Sequence, residues 1–211
     1  MMSEQRSTVY VVDDELPVRK AVSRLLRVAG FEVAAFASPH EFLAALSVST
    51  PGCLVLDVAM PGLNGLELQV ALAERGSALP IIFLTGRADI PMSVQAMKRG
   101  AIDFLTKPVH DLDLLDAIRR ALAKDAEARR ARADLAEISA RLATLTRRER
   151  EVLLHVVSGR LNKQIAGDLG IVEQTIKVHR ARVMEKMRVR SVAELVRLAE
   201  RLGMGEGEVK T

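Results

Sequence analysis

The feature that most constrains the fold is an alternation. Short β-rich apolar runs recur at Val9–Val12, Val33–Phe36, Cys53–Leu56, Ile81–Leu84 and Ile102–Thr106, with helical patterns between them. The first helix is predicted from about Pro17 to Ala29, where Val18, Ala21, Val22, Leu25 and Leu26 share one face and Gly30 provides the stop. Regular strand–helix alternation specifies a parallel α/β sheet, because parallel neighbours need a crossover long enough to hold a helix. Five such units predict a flavodoxin-like doubly wound domain, whose ligands sit beyond the carboxyl ends of its strands.

From Asp111 to about Leu145 the chain has no proline or glycine and is rich in Ala, Arg, Glu and Leu, so a long helix is predicted. Leu115, Ile118 and Leu122, then Leu135, Ile138, Leu142 and Leu145, recur at helical spacing around an alanine- and charge-rich gap. Both a fifth α/β-domain helix running into a solvated linker and a short dimerising coiled coil suit that pattern. Past Thr146 the pattern is all-helical, and Thr146 with Glu149 forms the T-x-x-E signature that opens a helix. The expected organisation is an α/β domain over 7–124, a helical linker over 125–141, a small all-α domain over 142–205 and a frayed tail over 206–211.

Composition narrows the class. A chain of 211 residues with 49% hydrophobic content can build two cores without a membrane or disulfides. Residues 1–124 carry 13 Lys/Arg against 14 Asp/Glu, while residues 146–190 carry 11 against 5, a net of +6. Only the second segment has the charge of a polyanion binder, although a basic face can also be merely solvated. The single cysteine, Cys53, lies in an apolar run, can form no intramolecular disulfide and suits a reducing compartment. The start MMSEQRST lacks a secretory signal pattern, and charges interrupt every stretch long enough to span a bilayer, so a cytoplasmic protein is expected. His40, His110, His155 and His179 lie far apart without metal-type spacing.

Asp13 and Asp14 directly follow the first strand and Asp57 follows the third, so a doubly wound sheet brings three carboxylates to one edge. Any one alone reads as a loop or helix cap; as a set they repel and are best tolerated around a hard divalent cation such as Mg²⁺. Thr85 and Lys107 sit at two further strand ends and add a hydroxyl and an ammonium. Aspartate can attack phosphorus, and a metal and an ammonium neutralise charge on the transferring oxygens, so phosphoryl transfer to Asp57 is expected. The first strand runs into Asp-Asp-Glu-Leu-Pro rather than a glycine-rich phosphate loop, which argues against a nucleotide cofactor.

The segments VVDDE, LVLDVAMPGLNGLEL, IIFLTG and AIDFLTKP resemble the receiver domains of bacterial response regulators, over about residues 7–124. The resemblance implies that Asp57 is the phosphoacceptor, that Asp14 and Asp57 ligate the metal directly with Asp13 acting mainly through water, and that the Ala59 carbonyl completes the site. It also implies that Thr85 follows the phosphoryl group, that Lys107 pairs with it, that Phe104 turns inward as Thr85 moves, and that Lys107–Pro108 is cis. Apart from the resemblance, an isolated Phe at a strand position is more often plain core.

The segment LTRREREVLLHVVSGRLNKQIAGDLGIVEQTIKVHRARVMEKM holds two short helices split by Gly170, as in a helix-turn-helix. The first starts at Asn162, and the second spans about Glu173 to Met187 with Ile176, Val183 and Met187 on its inner stripe. Gln174, Lys177, Val178 and Ala181 share the opposite stripe, which a recognition helix would present to the major groove. Arg180, Arg182, Lys186, Arg188 and Arg190 lie beside or beyond it, in positions suited to phosphate. The alternative is an ordinary basic surface helix.

LTRREREVL, the Asn162-Lys163-Gln164-Ile165-Ala166 run and Thr175-Ile176-Lys177-Val178-His179-Arg180 are similar to the LuxR-type four-helix DNA-binding domain, over 142 to about 205. This resemblance adds Asn162, Lys163 and Thr175 to the expected DNA contacts, and its pairing with a receiver is similar to the FixJ branch of response regulators. Val172 departs from the family's Ser-like cap. The apolar stripe of the last helix, Val192, Leu195, Val196 and Leu198 or Ala199, suits core packing and dimerisation on DNA equally. Together the two resemblances imply a transcription factor rather than an enzyme, with a sensor histidine kinase, double-stranded DNA, RNA polymerase and a second copy of itself as partners. A ligand-sensing LuxR-type regulator would leave the acid, Thr and Lys set idle, and a stand-alone phosphotransferase would leave the basic domain unexplained.

Overall fold

The three central apolar runs become strands with both of their faces covered. The computed structural model describes residues 7–46, 51–86 and 90–204, and its chain divides into two compact units at Arg129 and Arg130. In the first unit, strands β1 (Thr8–Val12), β2 (Glu32–Phe36), β3 (Gly52–Asp57), β4 (Ile81–Thr85) and β5 (Asp103–Thr106) form one parallel sheet in the order β2-β1-β3-β4-β5. Alternate residues feed two cores. Val9, Val11, Cys53, Val55, Ile82 and Leu84 pack on one face, and Tyr10, Val12, Leu54, Leu56, Ile81 and Phe83 on the other. Two-sided burial is why these strands read as continuous apolar runs instead of alternating ones.

Helices α1 (Leu16–Val28), α2 (Pro39–Ala45), α3 (Gly65–Glu74), α4 (Ile90–Lys98) and α5 (Asp111–Ala143) connect and cover the sheet. Val22 and Leu26 of α1 and Leu114, Ala117, Ile118 and Ala121 of α5 line the first core. Phe42, Leu68, Leu72 and Ala96 from α2, α3 and α4 line the second. Gly52 sits at φ 152°, and a Cβ there would stand 1.9 Å from the Thr8 carbonyl oxygen, so close approach of β1 and β3 requires glycine.

The second unit is all-helical. The end of α5 is followed by α6 (Arg147–Val157), α7 (Asn162–Leu169), α8 (Glu173–Met187) and α9 (Val192–Arg201). The predicted T-x-x-E box is formed: Thr146 Oγ1 accepts the Glu149 N–H at 3.3 Å and Glu149 Oε2 accepts the Thr146 N–H at 2.8 Å. Gly170 ends α7 in the left-handed region at φ 65°, which sets the turn into α8. Ile138, Val152, Leu153, Val156, Ile165, Ile176, Val183, Met187 and Leu195 make the core.

Residues 125–141, read as a linker, lie wholly within α5. The apolar periodicity of the whole segment from 111 to 145 has two intrachain destinations. Leu115, Ile118 and Leu122 serve the α/β unit, whereas Ile138, Leu142 and Leu145 serve the helical one. Among the described residues no helix is long and apolar enough to cross a membrane.

Candidate functional site

Three strand ends and the turn after β5 converge, as expected of a doubly wound sheet. Asp13 follows β1, while Asp57 and Thr85 are the last residues of β3 and β4. All three are buried, at 2%, 3% and 3% exposure, whereas Asp14 is exposed. One carboxylate oxygen from each of Asp13, Asp14 and Asp57 lies within 4.8 Å of the others. Lys107, next after β5, places Nζ 2.8 Å from Asp13 Oδ2, 2.9 Å from Asp57 Oδ1 and 3.4 Å from Glu15 Oε1. The other Asp13 oxygen accepts the Glu15 N–H at 2.8 Å.

The electrostatics follow from burial. Desolvation raises the Asp13 pKa despite the opposing hydrogen bond and charge of Lys107, and the neighbouring Asp57 adds to the rise. Burial alone would lower the Lys107 pKa, but hydrogen bonds to Asp13 and Asp57 and their charges outweigh it, so the ammonium is held above its usual range. One cation thus offsets part of the charge of three acids. The remaining negative charge and the all-oxygen donor set fit a hard divalent ion.

The other expected members fall close by in the chain. The Lys107 N–H donates to the Thr85 carbonyl at 2.7 Å, and Lys107–Pro108 is cis. Phe104 is half-buried, its ring centroid 5.9 Å from that of Phe83. Ala59 is exposed in the turn between β3 and α3.

Two contacts at this edge have no counterpart in the sequence reading. A Cβ at Gly65, the first residue of α3, would stand 2.4 Å from the Asp57 carbonyl oxygen, so α3 approaches Asp57 only as glycine. Arg19 Nη1 donates to the main-chain carbonyls of Asp13 at 2.5 Å and Asp14 at 3.3 Å. The glycine after Asn64 was a visible signal; the arginine was one basic residue among many.

In the helical unit, α8 separates its faces as its period demands. Ile176, Val183 and Met187 are buried, and Gln174, Lys177, Val178, Ala181 and Arg182 are exposed. Thr175 is half-buried, and Lys177 Nζ lies 3.3 Å from Glu173 Oε1. On α7, Lys163 is exposed and half-buried Asn162 accepts a bond from Arg180 Nη1 at 2.9 Å. Lys186 departs from the expected set of phosphate contacts. Its ammonium turns inward to Glu149 at 2.6 Å and to the Thr144 carbonyl at 3.2 Å, because a buried carboxylate there needs a cation. Val172 begins α8 with no side-chain cap bond, and Leu161 begins α7 likewise.

Comparison with known proteins agrees with both halves. Residues 9–119 match the response regulator receiver domain family, and residues 143–199 match the luxR family of bacterial regulatory proteins. The chain is 45% identical over 94% of its length to Nodulation protein W of Bradyrhizobium diazoefficiens, covering 88% of that protein. It is 45% identical over 94% of its length to the transcriptional regulatory protein FixJ of Rhizobium meliloti, covering 97% of it. Among solved structures, that of the response regulator StyR matches with a TM-score of 0.85 and 48% identity, over 93% of this chain and 99% of that one. The chain therefore belongs to the two-component response regulators that join a receiver domain to a LuxR-type DNA-binding domain.

Proposed function

We propose that Asp57 accepts a phosphoryl group from the phosphohistidine of a sensor kinase and that this event strengthens DNA binding through the face of α8. The observation that carries the reading is the meeting of Asp13, Asp14, Asp57 and Lys107 at the carboxyl edge of the sheet. An Asp57 carboxylate oxygen forms the bond to phosphorus as the donor's P–N bond breaks. Lys107 holds the Asp57 oxygen before transfer and faces the new phosphoryl oxygens after it. Asp13, Asp14, Asp57 and the Ala59 carbonyl hold Mg²⁺, which supplies neutralising charge when bound. By the same arrangement the receiver assists its own phosphorylation and dephosphorylation. Thr85 follows the phosphoryl group and Phe104 turns inward behind it.

Gln174, Lys177, Val178 and Ala181 read bases in the major groove, while Thr175, Arg180, Arg182, Asn162 and Lys163 hold the backbone. Phosphorylation promotes a homodimer, which binds its operator in the cytoplasm and engages RNA polymerase. Incubation with acetyl phosphate and Mg²⁺ is expected to add one phosphoryl group and to strengthen binding to an operator defined by footprinting. Unchanged DNA affinity on confirmed phosphorylation would rule out this gating. Lys177→Ala is expected to cost about 1–3 kcal/mol of operator binding and to relax sequence preference. Retained affinity and preference, measured by a binding titration, would show that α8 does not face the groove as assigned.

A further inference from the structure

Arg19 is the basic residue nearest in sequence to the acidic pair, yet it does not act as their counter-ion. Among the described residues its ion-pair partners include none of the three carboxylates, and its guanidinium instead donates to the Asp13 and Asp14 main-chain carbonyls at 2.5 and 3.3 Å. The geometry has a local cause. Arg19 lies in the first turn of α1, where its own N–H donates to the Glu15 carbonyl at 3.0 Å. A long side chain on a helix leans toward the helix N-terminus, which here is the turn that carries the acids.

The consequence concerns the metal site. Asp13 is restrained through its side chain by the Glu15 N–H and by Lys107. Asp14 is exposed, and its carboxylate direction depends on the backbone that bears it. A charged donor on consecutive carbonyls pins that backbone more strongly than a neutral one would. It also occupies no carboxylate oxygen itself, so it does not compete with a cation for the acids. We infer that Arg19 is a positioning residue for the divalent-cation site, setting Mg²⁺ affinity by fixing the Asp13–Asp14 main chain. This rests on the reading of the acidic pocket as a Mg²⁺ site.

The test is calorimetric titration of the full chain with MgCl₂ alone, in the wild type and in Arg19→Ala and Arg19→Lys. Outer-shell partners of metal ligands typically contribute about 10- to 100-fold in affinity, and the Mg²⁺ dissociation constant of Arg19→Ala is expected to rise by that factor. One nitrogen, Nη1, makes both contacts, so a lysine ammonium can replace it. Arg19→Lys is expected to stay within about threefold of the wild type, since a second cationic donor serves the same carbonyls. In phosphorylation by acetyl phosphate, the half-saturating Mg²⁺ concentration of Arg19→Ala should rise while the rate at saturating Mg²⁺ holds.

Unchanged Mg²⁺ affinity in a folded Arg19→Ala protein overturns the inference. So does equal weakening in both variants with equal loss of melting temperature, which would mark a packing role. Should the alanine variant not fold, Arg19→Gln, which keeps a neutral donor, carries the same comparison. A wild-type chain that binds no Mg²⁺ overturns the pocket reading itself, which separates the two failures.

Discussion

Asp57→Asn protein incubated with acetyl phosphate and Mg²⁺ is expected to take up no phosphate, whereas Lys107→Ala is expected to take it up about 10²- to 10³-fold more slowly than the wild type. The amide of asparagine cannot form the acyl phosphate, so the first change removes the chemistry. The second removes an ammonium 2.9 Å from the attacking group and leaves transfer possible but poorly stabilised. Intact mass against time measures both. Asp57→Asn should remain folded, because Lys107 keeps its 2.8 Å contact with Asp13. Lys107→Ala leaves two buried carboxylates without their shared cation, at a cost of about 3–5 kcal/mol. Added Mg²⁺ should recover part of that loss. Phosphate uptake by Asp57→Asn at the wild-type rate would place the acceptor elsewhere and end the present assignment.

Glu149→Ala is expected to destabilise the helical unit by about 2–4 kcal/mol, combining loss of a cap with loss of a buried charge partner. Glu149 is buried, accepts Lys186 Nζ at 2.6 Å and closes the box with Thr146. The Lys186 bond first, and the Thr146 N–H next, lower its pKa from 4.5 to about 2. Because the folded-state pKa is depressed, this stabilisation is fully present above the unfolded value of 4.5 and is lost as pH falls toward about 2. Protection factors for hydrogen exchange of α6 and α8 amides in the full chain, corrected for the intrinsic pH dependence of exchange, should therefore fall through that window. In Glu149→Gln this component of the acid dependence should vanish. An identical acid profile in the glutamine variant would mean that another group governs it.

The five strands, the helices from Asp111 and Thr146 onward, and the turn at Gly170 were legible because each depends on local pattern: apolar runs, helical spacing, a capping box and a glycine that ends a helix. The acidic site was legible for a related reason. In a doubly wound sheet, position at a strand's carboxyl end already implies a place in space, so Asp13, Asp57, Thr85 and Lys107 could be gathered before any contact was known. Lys186 was not legible in the same way. Its position on α8 suits a phosphate contact, and only the folding of α6 against α8 brings Glu149 within 2.6 Å of it.

The same division holds for the residues that support the site. Sequence by itself determined which acids and which ammonium reach the sheet edge, because strand ends and alternation are properties of neighbours along the chain. Tertiary structure alone decided that Gly65 must lack a Cβ beside Asp57, that Asp125 accepts the Gly52 N–H at 3.1 Å across 73 residues, and that Arg19 serves carbonyls instead of carboxylates. A side chain's partner is set by what burial and packing leave within about 3 Å of it. That distance depends on the whole fold and is not written into the order of residues.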